Sequence, residues 1–208
     1  MAKGCAQRPG QDYVETFSPV VHMETIRAIL ALVPSENLKI QQMDIKGAYL
    51  NSTTLQEKVY MRQPEGFKDS TSRVCELVKT LYGLKQSGRE WNKEFDTKIR
   101  AFNFQRLRSD PCVYVRRDGR TVSIITVWVD DLLLFASSEP LMQRMKDDIH
   151  LQWEATDMGD PAKIVSIKIT QTKNSITISQ GKYIELILER EHMEDTSIRK
   201  IQEILSRT

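Results

Sequence analysis

The residues best equipped for chemistry are Asp130 and Asp131, adjacent carboxylates set inside the apolar run TVWVDDLLLFA. Two neighbouring carboxylates repel each other, and one of them titrates upward unless a cation intervenes. A divalent ion removes that conflict. Mg²⁺ is bound by one or two carboxylates together with substrate phosphates, rather than by an all-protein cage. A pair of such ions about 3.5–4 Å apart clamps the attacking and leaving oxygens of a phosphoryl transfer. That arrangement calls for a third carboxylate from elsewhere in the chain. Asp44 is the best candidate, at the end of a short apolar strand between Met43 and Ile45. Asp12, Asp110, Asp157 and Asp160 fall in expected loops. A bare Asp-Asp pair is also common as a solvated turn, so the pattern alone leaves both readings open.

The elements around these acids follow from apolar spacing. Ser18-Pro19 reads as a helix start, with apolar positions from His22 to Val33 following and Pro34 ending the pattern. KIQQMDIKGAYLN reads as a strand ending near Asp44, then a turn or short helix. KVYMRQPEGF reads as a strand that breaks at Pro64 and Gly66. Residues 86–102 read as an amphipathic helix, with Trp91, Phe95, Ile99 and Phe102 on one face and Arg89, Lys93 and Arg100 on another. CVYVRR and TVSIITVWV read as a hairpin turning at Asp118-Gly119, and LLLFAS as the next strand. Asp130 and Asp131 are then expected in a tight turn between antiparallel strands. A helix over 138–153, a second hairpin around Lys173-Asn174, and a last helix capped by Ser179 complete the pattern. This order predicts an α+β layer with helices on one face of an antiparallel sheet. Residues 1–193 are expected to form a single domain, with a poorly structured polar tail over 194–208.

Bulk properties narrow the class. A chain of 208 residues is long enough for one sizeable core or two small subdomains around a cleft. The net charge of +2 does not announce a nucleic-acid binder. Nine basic residues against four acidic between Arg73 and Arg108 are either a solvated helix face or a phosphate-binding one. Cys5, Cys75 and Cys112 are far apart and odd in number, which argues against a disulfide framework or zinc site and for a reducing, intracellular setting. The longest apolar run is too short for a membrane span and carries the two aspartates.

Six stretches together resemble the reverse transcriptase domain of copia-type retrotransposons: QRPGQDYVETFSPVVHMETIRAILAL, QMDIKGAYLN, VYMRQPEGF, LYGLKQSGREW, SDPCVYVRR and WVDDLLLFAS. They occur in the family's order and cover most of residues 3–190. The resemblance implies a right-hand polymerase fold: a palm of antiparallel sheet and packed helices, partial fingers, and little or no thumb. It implies that Asp44, Asp130 and Asp131 bind two Mg²⁺ ions, with Mn²⁺ as a substitute. Nucleotidyl transfer would run from a deoxynucleoside triphosphate to the 3′-hydroxyl of an RNA or DNA primer–template. Tyr49, five residues after Asp44, matches the aromatic steric gate that crowds a ribose 2′-hydroxyl; its bland alternative is a core aromatic. Lys85 and Gln86 match the segment lining the nucleotide and template site, and Gly83 would let backbone approach the substrate. Arg89, Lys93 and Arg100 would track a nucleic-acid backbone without reading bases. Trp91 reads as core.

Several positions depart from the family's pattern. Gly88 stands where Pro is usual and would loosen its loop. Trp128 stands where Tyr is usual. The fingers are expected to be truncated, with weak or absent activity from the isolated chain. The competing readings are a non-catalytic nucleic-acid-binding remnant of the polymerase and, ranked below it, a Mg²⁺-dependent phosphohydrolase.

Overall fold

The computed structural model describes residues 2–52, 55–172 and 175–193. The expected tail over 194–208 and the Lys173-Asn174 turn lie outside the described residues. The elements in chain order are α1 (Met23–Ser35), β1 (Lys39–Ile45), β2 (Tyr60–Arg62), β3 (Val74–Glu76), α2 (Ser87–Ala101), β4 (Gln105–Arg106) and β5 (Val113–Asp118). They continue with β6 (Thr121–Trp128), β7 (Asp131–Ala136), α3 (Glu139–Gln152), β8 (Ala155–Gly159), β9 (Lys163–Ile164), β10 (Ile167–Gln171), β11 (Ile176–Ser179) and α4 (Gly181–Arg190).

Six strands form an antiparallel sheet in the order β4-β5-β6-β7-β1-β8. The earliest of these strands, β1, sits between β7 and β8, so long-range pairing joins it to the β4–β7 run. Five consecutive residues are buried in β6 and again in β7. Successive side chains of a strand point to opposite faces, so both faces of the sheet are covered. A three-stranded sheet, β11-β10-β9, adds Ile164, Ile167 and Ile169 to the same core as the large sheet. β2 and β3 pair as a separate two-stranded ribbon.

Several boundaries differ from the sequence expectation, each for a physical reason. The first helix begins at Met23, not at Ser18-Pro19. The residue before a proline is pushed out of the helical region, and the β-branched Val20 and Val21 prefer extended backbone. The Val21 amide instead donates to the Val127 carbonyl at 3.4 Å. His22 is extended too, and its backbone N–H donates to Asp110, a fully buried carboxylate that also accepts from Cys112 N. Pro34 lies within the last turn of α1 rather than past its end. The β5–β6 hairpin pairs Asp118 with Thr121, so its two central residues are Gly119 and Arg120. Gly119 takes φ 58°, open to glycine at no steric penalty. The last helix is preceded by Gln180, with the Ser179 hydroxyl accepting from the Gly181 amide.

β8 was not legible from alternation, and it places Asp157 on a strand rather than in a loop, opposite Met43. The amine of Lys146, a nearly buried side chain of α3, donates to Asp157 at 2.6 Å. Burial alone would raise the Asp157 carboxyl. Hydrogen bonds from Lys146 and the Gly159 amide, with the charges of Lys146 and His150, outweigh it and hold the group below the usual range. A carboxyl depressed in the folded state adds stability that is present above its unfolded pKa and lost as pH falls through the folded one. Lys146→Met keeps the stem and removes the charge. We expect it to narrow the difference in Tm between pH 7 and pH 3, as read by thermal melts; an unchanged difference would mean that the pair does not contribute.

Among the described residues no helix is long and apolar enough to cross a membrane.

Candidate active site

Asp44 and Asp131 are direct cross-strand partners, Asp44 near the end of β1 and Asp131 at the start of β7. Trp128 pairs with Asp131 across β6 and β7, so the turn between those strands is Val129-Asp130. Thus only Asp130 occupies the turn; Asp131 is the first strand residue, a correction to the expectation that both lie in it. The Ile45 amide donates to the Asp130 carbonyl at 2.9 Å and ties the turn to β1. Acids separated by more than eighty residues in sequence thereby share one edge of the sheet.

Their electrostatics are those of crowded anions. The Asp44 carboxyl is raised above the usual range, first by burial and then by the charges of Asp130 and Asp131. The Tyr49 phenol is likewise raised by burial, then by Asp130 and Tyr82. A cation at this edge would reverse those penalties. Carboxylate oxygens are hard donors that suit Mg²⁺ or Mn²⁺, so the donor set fits. Among the described residues, however, no three acidic, histidine or cysteine side chains are already disposed around a common point. Asp131 accepts from Gln42 Nε2 at 3.1 Å. Gln42 precedes Asp44 by two and shares its strand face.

Tyr49 stands on a short helical turn, Ala48–Asn51, that follows Gly47 at φ 60°. Its ring meets that of Tyr82 with centroids 4.7 Å apart. Tyr49 also lines a cavity of about 190 Å³ with Ser18, Gly88, Trp91, Cys112 and Val129. Gly88 is not in a loop but in the first turn of α2, where proline too is tolerated. A Cβ on Gly88 would come within 3.1 Å of the Ser18 Cβ and 4.0 Å of the Tyr49 hydroxyl. The Cys112 thiol on the cavity wall is pushed up to about 12, first by burial and then by Asp110, which makes it a poor nucleophile.

The segment before α2 is held by the N-terminal residues. Gln86 is buried; it accepts from Gln7 Nε2 and donates to the Asp12 carbonyl, each at 2.9 Å. Both ends of its amide are therefore engaged by protein. Lys85 is exposed, with its amine 5.9 Å from the centre of the Tyr13 ring. Gly83 takes φ 99°, and a Cβ on Gly4 would lie 2.0 Å from the Gly83 carbonyl oxygen. The close backbone approach at Gly83 is thus to Gly4 of the same chain.

The basic face of α2 is internally paired. Arg89 meets Glu15 at 2.6 Å, Lys93 meets Glu90 at 2.9 Å, and Arg100 meets Asp96 at 3.0 Å. The local excess of positive charge therefore does not translate into three open phosphate sites.

Sequence reasoning assigned Trp91 to the core only. It is buried, and its indole N–H donates to the Val129 carbonyl at 2.7 Å. The available signal was chemical: a buried tryptophan N–H usually finds an acceptor. Neither Val129, at φ 58°, nor the Gln42–Asp131 contact carried any sequence signal.

A family described as reverse transcriptase (RNA-dependent DNA polymerase) matches residues 1–204. The chain is 39% identical over 200 residues to the retrovirus-related Pol polyprotein from transposon TNT 1-94 of Nicotiana tabacum, covering 94% of the chain and 15% of that protein. It is 35% identical over 195 residues to the Pol polyprotein from transposon RE1 of Arabidopsis thaliana, covering 93% of the chain and 13% of that protein. It is 34% identical over 145 residues to the putative transposon Ty5-1 protein YCL074W of Saccharomyces cerevisiae, covering 68% of the chain and 47% of that protein. The chain thus spans under half the length of each of these relatives. No solved structure matches it.

Proposed function

Because the chain belongs to the reverse transcriptase family, in the group formed by copia-type retrotransposon Pol polyproteins, we propose that it carries the nucleotidyl-transfer site of an RNA-directed DNA polymerase. The observation that carries this reading is the cross-strand pairing of Asp44 with Asp131 beside the Asp130 turn. Residues 1–193 act as one domain in this reading, supported by the single core shared by the large and three-stranded sheets. The large sheet with α2 and α3 corresponds to the palm. The β2–β3 ribbon and the N-terminal residues correspond to part of the fingers.

Asp44, Asp130 and Asp131 would hold Mg²⁺, or Mn²⁺ in its place. A bound divalent ion supplies charge neutralisation and acidifies the primer hydroxyl. The protein's own contribution is positioning. Tyr49 closes the side of the site where a ribose 2′-hydroxyl would sit. Gln86 anchors the segment from which Lys85 projects toward nucleotide and template, and Gly83 shapes the turn before it. Arg89, Lys93 and Arg100 would engage primer–template phosphates only by opening their present ion pairs.

The deciding experiment is single-nucleotide incorporation on a primed RNA template with Mg²⁺ or Mn²⁺. Weak, metal-dependent incorporation that follows the template is expected. Salt-sensitive template binding without incorporation, indifferent to Asp130→Asn, would mark a non-catalytic binding remnant instead. In the same assay Tyr49→Ala is expected to raise ribonucleotide use relative to deoxynucleotide use by roughly 10–100-fold, since it removes the group that crowds the extra hydroxyl. Unchanged selectivity would return Tyr49 to a packing role.

A further inference from the structure

We propose that Trp91 is a positioning residue for the acidic turn: its indole N–H holds the Val129 carbonyl and thereby keeps Val129 in the left-handed conformation that presents Asp130. This rests on the polymerase reading above and extends it to a residue of α2 that acts through the turn.

Val129 has φ 58°. A β-branched side chain avoids that region because its Cβ crowds the backbone, so the conformation persists only where the surroundings impose it. Here two hydrogen bonds grip consecutive carbonyls of the turn from different elements. Ile45 N of β1 donates to the Asp130 carbonyl at 2.9 Å, and Trp91 Nε1 of α2 donates to the Val129 carbonyl at 2.7 Å. The two-residue turn closed by the Trp128–Asp131 pair itself calls for positive φ, and Val129 and Trp91 together line the cavity of about 190 Å³ beside it. The donor itself is well fixed. The Trp91 ring is 3% exposed, set edge-on to Phe95 at 5.7 Å and to Trp153 at 5.5 Å. An indole held by two neighbouring rings places its one N–H at a single point, which suits it to hold a strained carbonyl.

The test compares Trp91→Phe, which keeps an aromatic ring and deletes the donor, with the same change made in a Val129→Gly background. Glycine takes positive φ without strain and needs no restraint. Amide hydrogen exchange is read residue by residue. In Trp91→Phe, exchange at Ile45, the amide bonded to the turn, is expected to quicken by roughly tenfold or more. Amides within α2 and β5 should stay within about twofold of wild type. In the Val129→Gly background the effect of Trp91→Phe at Ile45 should shrink to about twofold or less. Uniform acceleration across the sheet and α2 would show that Trp91 only packs. No change at Ile45, or an equal change in both backgrounds, would also overturn the proposal. Mn²⁺ binding to the wild-type chain, followed by the electron paramagnetic resonance of free Mn²⁺, is measured separately. Failure of wild type to bind Mn²⁺ would refute the metal reading while the exchange result still decides the role of Trp91.

Discussion

Asp130→Asn is expected to lower metal-dependent nucleotide incorporation by about three orders of magnitude or more while making the metal-free protein more stable. In the proposed reading the loss follows because the change removes a charged oxygen donor from the centre on which transition-state charge would be neutralised. The gain follows from Asp44, whose carboxyl is raised by burial and by Asp130 and Asp131. A carboxyl raised in the folded state contributes stability below its unfolded pKa and loses that contribution as pH climbs through the folded one. At neutral pH the metal-free site is therefore held under repulsion, and the amide relieves part of it. Relief of about 1 kcal/mol would lift Tm by roughly 2–4 °C in a chain of this size. The opposite signs are diagnostic. A substitution that merely damaged the fold would lower both activity and Tm, and one at an inert solvated turn would move neither. Primer extension and thermal melts in a chelator, run on the same preparation, separate the three cases.

Phe95→Ala is expected to remove about 3–5 kcal/mol of stability, a large part of what a domain of this kind possesses. Phe95 is 1% exposed. Its ring stacks on Trp153 at 5.2 Å and meets Tyr114 edge-on at 5.5 Å and Trp91 at 5.7 Å. The four aromatic side chains join α2 to the sheet and to the residue that follows α3. Phe95 itself lines the cavity beside Trp91, so deleting its ring enlarges an existing space among buried neighbours. Urea denaturation should show a fall in midpoint with little change in slope. A loss below about 1 kcal/mol would mean that the neighbouring rings collapse into the space, and would weaken the case that this cluster fixes Trp91.

Local chemistry made a good deal of this legible. The apolar face of α2 at Trp91, Phe95 and Ile99 is buried as its spacing predicts. The alternating, β-branched runs on both sides of Asp118-Gly119 do form a hairpin, though centred one residue later, because turn centres depend on which cross-strand pair closes last. The first helix starts later than Ser18-Pro19 because Ser-Pro is both a helix-start signal and an extended-backbone signal, and Val20 and Val21 tip it to the second. β8 escaped notice because an edge strand with one buried neighbour shows little apolar alternation; its burial pattern is mostly exposed. The basic count over α2 misled for a different reason. Charge density in sequence does not reveal which cations are already neutralised, and Glu15, which holds Arg89, is brought in from the N-terminal part of the chain, outside the counted stretch.

By itself the sequence determined that two carboxylates interrupt an apolar strand pair, that a third ends another short strand, and that an amphipathic helix lies between them in the chain. Those facts depend on neighbours two to four residues apart, and the periods of strand and helix encode them directly. Only the tertiary structure decided that β1 lies beside β7 in the register that sets Asp44 opposite Asp131. It alone also decided that the indole of Trp91 reaches the Val129 carbonyl. Such partners are chosen by which buried faces fit together across long stretches of chain, and no local period specifies that choice.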